Sequence, residues 1–118
     1  YLNFLMMLAH GGTFAGRRVL SENTVNTMLK IQNLPTDGQD CLFKPIGQAL
    51  LWNVSDVDAV QFYHLCSSQP GGFSEVLFSP DYNTAAIIFL TGEYSSDLEM
   101  RRFMSEASKH ILSLIQGN

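Results

Sequence analysis

An α+β fold is predicted for this chain: an antiparallel sheet of three to four strands packed by a C-terminal helix, with helices at the N-terminal end. Three observations predict it. Between residues 46 and 92, four apolar runs rich in β-branched and aromatic residues are separated by turn residues. A long amphipathic stretch with helical spacing follows, and two helix signals with clear stops precede. A chain of 118 residues suits one domain and buries roughly 65% of its unfolded surface. The expected organisation is a single domain or fragment over 1–118, with a helical segment over 1–35 and the sheet plus terminal helix over 46–118.

Residues 1–10, YLNFLMMLAH, are apolar nearly all round and predict a helix packed on more than one side, stopped by Gly11-Gly12. TFAGRRVL reads as a connector turning at Gly16, and Ser21 caps a helix in which Val25, Met28 and Leu29 share a face. Residues 36–45 carry Asp37, Gly38, Asp40 and Pro45 and read as a loop. The strands are predicted over 46–54, 59–65, 73–79 and 84–92. Pro80-Asp81-Tyr82-Asn83 joins the last two as a hairpin turn. The unbroken run AAIIFL predicts a strand buried on both faces. Ser96 and Glu99 have capping-box spacing, and Met100, Phe103, Met104, Ala107, Ile111, Leu114 and Ile115 form the apolar stripe of a helix over 97–116 that lies on the sheet.

Composition excludes several function classes. A net charge of −4 with only seven Lys plus Arg leaves no basic field for phosphates, so nucleic acid is not an expected partner. No apolar run reaches the roughly 18 residues of a membrane span, and no signal peptide is recognisable. The chain begins at Tyr1, inside a predicted helix, which suggests a fragment. No cofactor motif is present, and His10 and His110 have no partners at metal-ligand spacing. Cys41 and Cys66 read as buried free thiols, with a single bridge as the alternative. Asn53-Val54-Ser55 has the form of a glycosylation sequon.

The order of the helix ending in Gly-Gly, the phrase RRVLSENTV, a Trp-containing strand, a histidine, and the hairpin GGFSEVLFSPDYNTAAIIFLT resembles the C-terminal part of the serine β-lactamase-like family. That family includes class C β-lactamases, D-alanyl-D-alanine carboxypeptidases and related esterases. The resemblance covers nearly the whole chain and implies a partial β-lactamase-like fold. It implies acyl transfer to, or hydrolysis of, a β-lactam, peptide or ester in an intact parent. It also implies a periplasmic or secreted location.

Such chemistry needs a serine activated by a neighbouring base, in a Ser-x-x-Lys motif, and an edge strand bearing Lys-Thr-Gly or His-x-Gly. No serine here is followed at the third position by lysine; Ser105 has Lys109 one residue too far along. Tyr1-Leu2-Asn3 matches Tyr-x-Asn only by placing it at a helix start. The third element has no matching register, because Cys66, Ser67 and Ser68 stand where Lys-Thr-Gly belongs. A pocket wall made of His64, Cys66, Ser67, Ser68, Gly71 and Gly72 is what the resemblance leaves, with no complete catalytic set. For His64, a locally hydrogen-bonded strand residue is the other reading.

Two functions follow as expectations. The chain is the C-terminal segment of a β-lactamase-like serine hydrolase, inactive alone and completed by a missing N-terminal catalytic segment. Alternatively, it is a non-catalytic binding or interaction domain that forms a homo-oligomer. A small enzyme built on Cys66 or His64 has no supporting arrangement of residues in sequence.

Overall fold

The computed structural model describes residues 1–34, 43–92 and 97–117. It has the α+β architecture expected. A sheet of five antiparallel strands in the order β3-β4-β5-β6-β7 carries helices on both faces, and a two-stranded ribbon stands apart. The sheet is therefore larger than three to four strands.

Helix α1 (Leu2–Ala9) ends where the sequence stops it. The amide of Gly12 donates to the Met7 carbonyl at 2.9 Å and that of Gly11 to the Leu8 carbonyl at 3.1 Å, the paired bonds of a Schellman ending. Gly12 also lets the backbone pass close by, since a Cβ there would lie 2.2 Å from the Leu20 carbonyl oxygen. The stretch read as a connector contains the ribbon β1 (Thr13–Phe14) and β2 (Arg17–Arg18). Helix α2 (Glu22–Leu29) starts at Ser21, whose hydroxyl accepts from the Thr24 amide at 3.1 Å.

The first predicted strand is two. β3 (Gly47–Gln48) and β4 (Asn53–Val57) form a hairpin closed by the Ala49 amide donating to the Trp52 carbonyl. β5 (Val60–Gln69) runs four residues beyond its predicted end, because Ser67, Ser68 and Gln69 pair with Ser74, Phe73 and Gly72 of β6 (Gly72–Ser79). Only Pro70 and Gly71 remain as the turn, and Gly71 takes the φ of +82° that the second central position of a Pro-Gly turn requires. β7 (Thr84–Thr91) pairs with β6 through the predicted Pro80–Asn83 connection.

Register assigns the two faces. Val54, Tyr63, Phe78, Ala85 and Ile87 share one, where Leu5, Met7 and Leu8 of α1 and Val25 and Leu29 of α2 pack with Trp52. Phe62, Leu77, Ala86 and Ile88 share the other, covered by Phe43 and by Ile111, Leu112 and Ile115 of α3 (Asp97–Ile115). Leu112 takes part where Leu114 was expected; Leu114 is exposed. Ser96, half of the expected capping box, lies outside the described residues.

Two burial expectations hold over only part of their length. AAIIFL is covered on both faces over its first four residues, with Ala85 and Ile87 on one cluster and Ala86 and Ile88 on the other, whereas Phe89 is 74% exposed. α1 is packed on more than one side only in its second half, where Leu5, Met7, Leu8 and Ala9 are buried, and leaves Leu2 and Phe4 of its first turn exposed.

Candidate functional site

Strands alternate, so neighbours in sequence face opposite ways. That separates the residues expected to form one pocket wall. His64 and Cys66 point to the α3 face, whereas Ser67 lies on the other face, at the exposed end of β5. Ser67, Gly71 and Gly72 line an open groove of about 370 Å³ with Phe89 and Thr91, and neither His64 nor Cys66 reaches it. The side chain of Ser68 lies outside what is described. Cys66 is engaged in a disulfide rather than free; the chain's other cysteine, Cys41, lies outside the described residues. The sequon is sealed, since Asn53, Val54 and Ser55 are all buried.

His64 is instead the centre of a buried polar array. It stands opposite Asn53 on β4 and Leu77 on β6, so Ser55 and Glu75 are its diagonal neighbours on the same face, within reach of a ring. Its Nε2 lies 2.7 Å from the Ser55 hydroxyl and its Nδ1 lies 2.9 Å from Oε1 of Glu75. All three residues are 0% exposed. Phe43 closes the face, its ring edge-on to the imidazole at 6.1 Å and stacked on Phe62 at 5.0 Å. Glu75 and Ser55 were not singled out from sequence. The available signal was Glu75 itself, a carboxylate in phase with the apolar residues Phe73 and Leu77, which has to find a partner if that face is buried.

A serine, a histidine and a carboxylate at these spacings have the composition of a catalytic triad, so the proton positions decide the chemistry. A triad serine donates its hydroxyl proton to the histidine. Here the Ser55 hydroxyl donates to the Lys44 carbonyl at 2.8 Å. It has only one proton, so toward His64 it is an acceptor and Nε2 carries the hydrogen. On its other side the ring keeps Nδ1 in contact with Oε1 of Glu75 at 2.9 Å, outside hydrogen-bond geometry. With Nε2 protonated, the imidazole has no lone pair facing the serine and is not a base for it. The array therefore has the donors and acceptors of a structural bracket across β4, β5 and β6.

A second concavity of about 390 Å³ lies on the opposite face, floored by Leu8, Val25 and Leu29 and rimmed by Gln61, Tyr63 and Asp81. The Tyr63 hydroxyl donates to Oε1 of Gln61 at 3.3 Å. Burial pushes the Tyr63 phenol above its ordinary value, and the nearby Asp81 carboxylate pushes it the same way.

No family model, curated protein or solved structure matches the chain. Among the described residues no three His, Cys, Asp or Glu side chains are grouped to hold a metal ion, and no helix is long and apolar enough to cross a membrane.

Proposed function

We propose that this chain supplies scaffold rather than chemistry: it is the C-terminal sheet-and-helix segment of a β-lactamase-like serine hydrolase, inert alone and completed by an N-terminal segment bearing the nucleophile. The parent would act on a β-lactam, peptide or ester outside the cytoplasm. The observation that carries the inert half of this reading is the direction of one hydrogen bond. Ser55, the serine in contact with an imidazole, spends its proton on the Lys44 carbonyl and is fully buried. The sequence order of Gly-Gly helix ending, capped second helix and Gly-Gly-Phe-Ser hairpin supports the kinship.

The test is incubation of the chain with a chromogenic ester, a chromogenic β-lactam and a fluorophosphonate probe, followed by intact-mass analysis. Unchanged mass and no turnover are expected. A stoichiometric adduct would refute the inert reading and identify the serine responsible.

A second reading, a non-catalytic interaction domain that pairs with another copy of itself, is favoured by a different observation. The last strand of the sheet, TAAIIFLT, carries no charge along its whole length.

A further inference from the structure

We infer that β7 is a dimerisation edge, along which a second copy of this chain adds its own β7 in antiparallel register to make one continuous ten-stranded sheet. The inference rests on the interaction-domain reading and names the surface that reading would use.

Backbone direction comes first. The Gly92 amide donates to the Gly71 carbonyl at 3.1 Å, so the peptide groups of that residue point toward β6. Alternation along an antiparallel strand then turns the groups of Thr84, Ala86, Ile88 and Leu90 toward β6 as well. Those of Ala85, Ile87, Phe89 and Thr91 point outward, and among the described residues no strand receives them. Soluble proteins protect such an edge with Lys, Pro, a bulge or a very short strand. β7 has none of these: it is eight residues long, pairs with β6 without interruption, and contains neither charge nor proline.

The occupant must therefore be an extended strand, and its side chains must be apolar on both faces. A second copy satisfies both demands. With a two-fold axis through Ile88, Ile87 stands opposite Phe89 of the second copy and Ala85 opposite Thr91, with no like charges juxtaposed. The axis is perpendicular to the sheet, so each helical layer continues across it. On one side α1, which packs on β6 and β7, brings its exposed Tyr1, Leu2 and Phe4. On the other, α3 brings exposed Leu114. The apolar residues left uncovered by the monomer thus lie on the two layers that the symmetry would extend.

The test is sedimentation of the chain together with amide hydrogen exchange read by NMR. Phe89→Lys places two buried-edge cations in the dimer at a side chain already exposed in the monomer. Phe89→Pro removes an outward amide that no bond among the described residues uses. The expected results are a species of twice 13.2 kDa, with slow exchange at Ala85, Ile87, Phe89 and Thr91. Both variants are expected to stay folded, with dimer dissociation constants raised on the order of tenfold or more and fast exchange at the outward amides that remain. A 13.2 kDa species whose outward amides exchange freely would overturn the inference, as would a dimer untouched by both substitutions. Covalent labelling reports on the hydrolase reading separately, so the two can fail independently.

Discussion

The two faces of the sheet are buried by different means. On the α1–α2 face, Phe78 is fully buried between the Trp52 ring, edge-on at 5.0 Å, and the Tyr63 ring, stacked at 5.3 Å. The contacts are non-directional, and stability there depends on filled volume. On the α3 face, Phe62 and Leu77 share the interior with Ser55, His64 and Glu75, all sealed from water. Those polar groups stand as a set, Ser55 hydrogen-bonded to His64 and His64 in contact with Glu75, so removing one leaves the others buried with less compensation. One face is held by shape and the other by an accounting of protons, so the same kind of mutation has different consequences on each.

Removing one member of the array is among the most disruptive changes. Glu75→Ala leaves His64 buried without its carboxylate and is expected to destabilise by about 3 to 5 kcal/mol in urea unfolding. Phe78→Ala is expected to cost a similar 3 to 5 kcal/mol, roughly, through the cavity it leaves. What separates the faces is repair. The triple replacement Ser55→Ala, His64→Phe and Glu75→Leu removes the three polar side chains of the array together and should return stability to within about 1 kcal/mol of the parent. A triple variant as unstable as Glu75→Ala would contradict the bracket role. No second polar substitution repairs Phe78→Ala.

How far sequence reading reached follows the same division. Elements set by local chemistry were legible: the Gly11-Gly12 helix ending, the Ser21 cap, the Pro80–Asn83 hairpin and the α3 amphipathic period. Features set by strand order or register were not. AAIIFL reads as doubly buried throughout because its side chains are apolar, yet the packing reaches only Ala85 to Ile88 and leaves Phe89 exposed, and where a helical layer ends over a strand is a property of topology. Ser67, Ser68 and Gln69 read as a loop because they are polar, whereas their pairing with β6 makes them strand at an exposed end. His64 stands out in the sequence as a candidate. Its partners were hidden, since Ser55 and Glu75 lie 9 and 11 positions away and meet it only once three strands are aligned.

Smaller effects sharpen the contrast. The β4–β5 turn holds Asp58 at φ +52° and Ala59 at +62°, the left-handed region that penalises a Cβ. Ala59→Gly should therefore stabilise by about 0.5 to 1 kcal/mol, read as a rise in the unfolding midpoint without a change in slope. The Tyr63 phenol gives the last prediction. Its folded pKa is raised above the ordinary 10.0, so the unfolded chain loses this proton first as pH rises. Its contribution is complete below pH 10 and is lost as pH climbs through the folded value. Tyr63→Phe should flatten the fall in stability above pH 10, and an unchanged slope would show that burial does not hold the phenol neutral.

The most direct measurement is the protonation of the two His64 ring nitrogens, by nitrogen-15 NMR of the labelled chain at neutral pH. A protonated Nε2 with slowly exchanging hydrogen, coupled to the Ser55 site, is the expected result and means that the histidine donates to the serine. A bare Nε2, with the ring proton confined to Nδ1 beside Glu75, would mean that Ser55 donates to the histidine as in a hydrolase triad. The structural reading of the array would then be wrong.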